Sequence, residues 1–127
     1  MSRSLLPSSR RAVALALLAG AGVAVAQPAK PSNGVLAGAS GMTLYTFDRD
    51  TAGSGQSACN GPCATLWPPL MAQATDQASG AWSVVTREDG SKQWAYKGKP
   101  LYYYSKDGKA GDKTGDGFRD VWHAAKE

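Results

Sequence analysis

Apolar and polar residues alternate over short stretches of this chain, and beyond the N-terminal segment no stretch keeps a period of about 3.6 residues. Between residues 92 and 96, Trp94 and Tyr96 alternate with small or polar residues, as in a strand with one buried face. Residues 81–86 are rich in aromatic and β-branched side chains and precede a glycine-containing turn at 87–91, which predicts a hairpin. The pattern therefore predicts a mainly β fold of antiparallel strands.

Further strands are predicted at residues 35–37, 43–47, 101–104 and 121–125. The segment 101–104 would complete a three-strand meander with the hairpin before it. The best helix candidate spans residues 61–66, and Pro68 would end it because a proline ring disfavours helical backbone at the preceding residue. We expect at most one or two short helices.

One short phrase occurs twice in the chain. Residues 44–50 return 57 positions later as residues 101–107, and both copies read Tyr, any residue, aromatic, two residues, Asp. A glycine-led turn precedes each copy, and a tryptophan follows it. The sequence therefore predicts one small domain over residues 34–127 that is built from two repeats. Their expected bounds are about residues 34–72 and 81–127.

The motif side chains are Tyr45, Phe47 and Asp50 in the first copy, and Tyr102, Tyr104 and Asp107 in the second. Residues two apart on a strand share a face, so the aromatic side chains of the two copies should meet in one core. Packing is favoured over ligand stacking because aromatic side chains bury large areas. The aspartates fall where each strand should turn, and their favoured role is to accept backbone N–H hydrogen bonds there.

The first 26 residues resemble an export signal. Arginines precede an apolar run that is shorter than the about 20 residues of a membrane span, and Ala24-Val25-Ala26 offers a cleavage site. Arg10 and Arg11 leave the twin-arginine export route open beside the general one. Residues 27–33 hold two prolines and little apolar content, which predicts a flexible leader. We expect a periplasmic or secreted protein without a stable membrane span.

Removal of the signal also changes the charge of the chain. The whole chain carries +4, but residues 1–26 hold three of the 14 Lys and Arg and none of the 10 Asp and Glu, which leaves +1. Nucleic-acid binding depends on clustered Lys and Arg, so a nucleic-acid partner is not expected. We expect a monomer with an unknown envelope or periplasmic partner, and no cofactor.

Four ordered blocks of the chain resemble a known bacterial family. They are residues 44–50, 59–70, 98–107 and 115–123. The chain is similar to the secreted repeat proteins of unknown function that are described as predicted lipoproteins with a conserved Tyr-x-aromatic-x-x-Asp motif. The resemblance implies a paired repeat at the envelope or outside it, and no catalytic residues. The export signal lacks the cysteine that lipid attachment requires, which puts membrane anchoring in doubt for this chain.

Cys59 and Cys63 are the only cysteines, and in an oxidising compartment an even count favours a disulfide between them. A metal site is the alternative, since two thiolates with sulfur or imidazole ligands suit Cu(I). Its additional ligand candidates are Met42, Met71 and His123. A calcium loop around the last glycine-rich segment is less favoured, because the alternating Asp spacing of such loops is missing.

Catalytic sets are scarce in this sequence. His123 is the only histidine, and no Gly-x-Ser-x-Gly elbow presents a serine nucleophile. Asp50 and Asp107 occupy equivalent repeat positions and could serve as a carboxylate pair of a hydrolase, which is the least favoured hypothesis. The leading hypothesis is a non-catalytic binding or structural component of the envelope. The second is a periplasmic metal or redox accessory protein that uses the cysteines.

Overall fold

The computed structural model describes residues 27–127, so the predicted export signal lies outside the described residues. This part of the chain forms eight short strands, one α-helix and one 3-10 helix. The strands are β1 (Lys30–Ser32), β2 (Val35–Ala37), β3 (Tyr45–Phe47), β4 (Met71–Ala72), β5 (Trp82–Thr86), β6 (Lys92–Tyr96), β7 (Lys99–Pro100) and β8 (Trp122–Ala124). The helices are α1 (Pro62–Leu66) and the 3-10 helix Phe118–Asp120.

All strand pairs are antiparallel and belong to three small sheets. β1 pairs with β2, and β3 pairs with β8. The largest sheet has the order β4, β6, β5, and β7 also pairs with β6. The prediction of a mainly β fold with little helix is confirmed.

The structure differs from the predicted leader over residues 27–33. β1 lies inside this segment and pairs with β2, where Lys30 is opposite Ala37. Asn33 and Gly34 connect the two strands with φ angles of 51° and 87°, the positive values that a two-residue hairpin turn needs. Ala29 is buried in the core. The segment is therefore ordered by an Asn-Gly turn despite its low apolar content.

The predicted third strand at 101–104 is shorter than expected. β7 ends at Pro100, and only Tyr102 continues the pairing, through isolated bridges to Tyr45 and Pro69. α1 lies within the predicted segment 61–66, and β8 lies within the predicted segment 121–125.

The two repeats interlock through the motif segments. The Asp48 N–H donates to the Val121 carbonyl at 2.7 Å, and at the equivalent place the Ser105 N–H donates to the Leu66 carbonyl at 2.9 Å. Tyr45 and Tyr102 exchange two backbone hydrogen bonds of 2.7 and 3.0 Å where the two segments meet. Each motif segment is thus flanked by the tryptophan segment of the other repeat, and the arrangement has approximate two-fold symmetry.

Two apolar clusters form the core. The first holds the motif tyrosines Tyr45 and Tyr102 with Trp67 and Trp122. The second holds Leu44, Leu101 and other residues of both repeats. Successive residues of an extended chain point to opposite sides, so each Leu-Tyr pair contributes one residue to each cluster. The motif therefore joins the two clusters.

Candidate functional site

Four aromatic rings of the motif region form one continuous stack. Phe47 lies 4.2 Å from Trp122, Trp122 lies 3.8 Å from Trp67, and Trp67 lies 4.1 Å from Tyr104, all measured between ring centroids. A Cβ on Gly115 would come within 2.6 Å of the Trp67 ring, so only glycine lets this loop close over the stack. The aromatic residues of both motif copies share one core, as the sequence predicted.

The motif tyrosines and aspartates pair across the repeats. The Tyr45 hydroxyl donates to Asp107 Oδ2 at 2.6 Å, and the Tyr102 hydroxyl donates to Asp50 Oδ2 at 2.6 Å. Both tyrosines are fully buried, and Asp107 is 7% exposed. Each tyrosine of one copy therefore binds the aspartate of the other copy, a pairing that the linear motif does not reveal.

Each aspartate also holds the loop that follows it. Asp50 Oδ1 accepts the Ala58 N–H at 2.6 Å, and Asp107 Oδ1 accepts the Thr114 N–H at 3.0 Å together with the Thr114 hydroxyl. The predicted acceptance of backbone N–H groups is thus present, but the donors lie seven or eight residues further along rather than in the adjacent turn. Each carboxylate therefore connects the tyrosine of the other repeat to a loop of its own repeat.

The surroundings of these groups shift their pKa values. Burial raises the pKa of both Tyr45 and Tyr102, and the hydrogen bond to an aspartate raises each further. Burial also raises the pKa of Asp50, although the hydrogen bond from Tyr102 acts in the opposite direction. Both tyrosines are therefore held as neutral hydrogen-bond donors.

Arg87 and Gln93 are functional candidates that the sequence reading missed. Arg87 is 6% exposed, and its guanidinium donates to the Cys59 carbonyl at 2.7 Å and to Gln93 Oε1 at 2.7 Å. Ser57 Oγ accepts from the same guanidinium at 3.1 Å and lies 2.6 Å from the Tyr102 hydroxyl. A buried cation is thereby connected to the Tyr102–Asp50 pair, and its charge offsets a small part of the rise in the pKa of Asp50 that burial causes.

Gln93 belongs to the alternating pattern of β6. Gln93 and Ala95 are fully buried, whereas Trp94 and Tyr96 are half-buried. The strand therefore turns its polar amide inward, and the Gln93 side chain also donates to the Leu101 carbonyl at 2.7 Å. The alternation itself does not indicate that the face with Gln93 is more buried than the face with the aromatic residues.

Cys59 and Cys63 form the predicted disulfide, which is confirmed. The bond ties the loop before α1 to the first turn of that helix. Neither cysteine therefore presents the thiolate that the alternative copper site needs. Of the other ligand candidates, Met71 is 52% exposed, and His123 Nε2 lies 2.8 Å from Asp48 Oδ2. Within residues 27–127 no group of three or more His, Cys, Asp or Glu side chains is placed to hold a metal ion.

The aspartates of the last loop also serve the backbone. Asp112 accepts the N–H groups of Gly108 and Lys109, and Asp116 accepts the Ala124 N–H at 2.9 Å. These contacts correspond to loop capping, the role that the sequence favoured over calcium binding.

A family model described as a secreted repeat of unknown function matches residues 28–71 and again residues 83–126. These bounds begin six residues before the predicted start of the domain. No curated protein and no solved structure matches the chain. In the described residues, no helix combines the length and apolar content that a membrane crossing requires. The two matches cover more than half of the chain, so it belongs to this family of secreted repeats and is an exported protein.

Proposed function

We propose that this exported protein is a non-catalytic binding module of the periplasm or outer envelope. The observation that carries the proposal is the cross-repeat pairing of the motif. Tyr45, Tyr102, Asp50 and Asp107 all make hydrogen bonds within the domain, and three of the four are buried. Side chains held in this way stabilise a scaffold and leave the exposed loops free to bind.

The same geometry argues against the two alternative functions. A hydrolase would need Asp50 and Asp107 to face a substrate, yet each carboxylate already accepts a tyrosine hydroxyl and a backbone N–H. A copper accessory role would need free thiolates, but Cys59 and Cys63 are joined. A redox role would need disulfide sulfur atoms that are open to attack, and Cys59 is fully buried. Binding is the function that the remaining open surface supports best.

The proposal is tested by titration of ¹⁵N-labelled protein with muropeptides and oligosaccharides released from bacterial envelope. We expect at least one fraction to shift amide signals of surface loops and to be recovered with unchanged mass. Tyr102→Phe and Tyr45→Phe serve as control variants. Each should lower the free energy of unfolding but retain binding under conditions in which the protein is folded. Chemical conversion of any fraction by the wild-type protein would overturn the non-catalytic proposal if the conversion is lost in folded Asp50→Asn or Asp107→Asn.

A further inference from the structure

A surface cleft of about 370 Å³ lies where the β6–β7 turn meets the β3–β8 pair. Three lysines line it, Lys97, Lys99 and Lys126. Asp48 is the one acidic residue in its lining, and its carboxylate is already bonded by His123 at 2.8 Å. The cleft therefore carries a positive charge although residues 27–127 together carry only +1.

The approximate two-fold symmetry identifies the corresponding place in the other repeat. Leu44 donates to the Leu36 carbonyl as Leu101 donates to the Trp94 carbonyl, and Ala125 donates to the Leu44 carbonyl as Leu70 donates to the Leu101 carbonyl. In this register Thr46 corresponds to Tyr103, Tyr96 to Gly38, and Lys126 to Met71. The two junctions share a backbone and differ in their side chains.

In the other repeat, the junction that corresponds to the cleft is filled by a side chain. Tyr103 lies so close to Gly38 that a Cβ there would overlap the tyrosine hydroxyl. At the first junction the smaller Thr46 replaces this tyrosine, and the space stays open. One repeat has therefore closed the junction with an aromatic ring, and the other has left a cleft.

The charges diverge in the same way. The loop 38–42 at the filled junction has no charged residue, whereas the corresponding turn 96–99 holds Lys97 and Lys99. Met71 and Pro68 stand where the open junction has Lys126 and His123. The basic residues thus accumulate at the junction that is open.

We propose that this cleft binds a phosphate group, which names a ligand class for the binding module and so rests on the proposed function. Its volume falls within the about 300–1,000 Å³ that is common for small-ligand sites. Lysine ammonium groups act as point charges and are common phosphate ligands, and a phosphate group carries its negative charge on several oxygens.

Binding is tested with inorganic phosphate on ¹⁵N-labelled protein at low ionic strength. We expect amide shifts at residues 46–48, 96–99 and 123–126. The double variant Lys97→Gln/Lys126→Gln should raise the Kd about fivefold, because each exposed charge pair contributes modestly. Lys30→Gln/Lys106→Gln removes two exposed lysines outside the cleft and is the matched control, which should leave the Kd within about twofold. Added NaCl should weaken binding.

A second arm identifies the source of the phosphate group. Co-sedimentation with phosphatidylcholine vesicles that contain phosphatidic acid, but not with pure phosphatidylcholine, would assign a lipid headgroup if the cleft lysines are required. Binding of free phosphate alone would assign a soluble ligand. Shifts that are absent, or that the control variant lowers as much as the cleft variant, would overturn the phosphate inference. Binding of envelope fragments elsewhere on the surface would then leave the proposed function standing.

Discussion

Cross-repeat pairing of the motif makes a prediction that a double-mutant cycle can measure. Tyr45→Phe removes the hydroxyl that donates to Asp107 Oδ2 at 2.6 Å, and Asp107→Ala removes the acceptor. A hydrogen bond to a charged group contributes about 1.5–3 kcal/mol, and here both side chains are buried, so solvent screens the bond little. We expect a coupling of about 2 kcal/mol between the two substitutions in the free energy of unfolding.

The control cycle uses the aspartate of the same motif copy. Tyr45 and Asp50 belong to the same copy of the motif, but the hydroxyl of Tyr45 donates to Asp107 of the other copy. Tyr45→Phe with Asp50→Ala should therefore be additive within about 0.5 kcal/mol. All variants are compared by urea unfolding that is followed through tryptophan fluorescence with the disulfide intact. A larger coupling within one copy than across the copies would refute the pairing.

Three further perturbations test other parts of the structure. Arg87→Met should lower the free energy of unfolding by about 3 kcal/mol in urea denaturation, because it strands several buried acceptors; a loss below about 1 kcal/mol would contradict the network. Reduction of Cys59–Cys63 should cost about 2 kcal/mol, the low end expected for a short loop, measured as the midpoint shift with and without reductant. Burial raises the pKa of Asp50 above its ordinary 3.8. The folded state then binds this proton more tightly, so the stability of wild type relative to Asp50→Asn should fall as pH rises from about 4. Urea curves across pH would contradict this if the difference grew with pH.

The fold could be predicted from the sequence wherever local pattern decides it. Alternation in β6 and the glycine turn before it place the main hairpin, and the doubled phrase indicates two repeats in one domain. The disulfide followed from an even cysteine count in an exported chain. The strand within residues 27–33 could not be predicted from local pattern, because β1 is held by the Asn33-Gly34 turn and by pairing with β2 rather than by its own apolar content.

The site was less accessible to sequence reasoning. The tyrosine partners of the two motif aspartates depend on which repeat lies next to which. The arrangement of the repeats is determined by backbone pairing between distant segments, and the motif sequence contains no information about that pairing. The buried position of Arg87 could not be predicted from the sequence, because an arginine in a turn is usually solvent-exposed. In the fold its guanidinium donates to Gln93 and to a loop carbonyl.

The exchange of motif segments has a consequence for how such a chain can arise. An isolated repeat would keep its tyrosine without an aspartate, and its tryptophan without the two rings that stack on its faces. A second copy of the same repeat, related by a two-fold axis, would supply all of these groups, since a self-complementary interface repeats each contact twice. The two repeats of this protein are thus arranged like the two subunits of a symmetric homodimer, but they are joined in one chain. Covalent linkage of the halves frees each to accept substitutions that the other does not share, such as Thr46 opposite Tyr103.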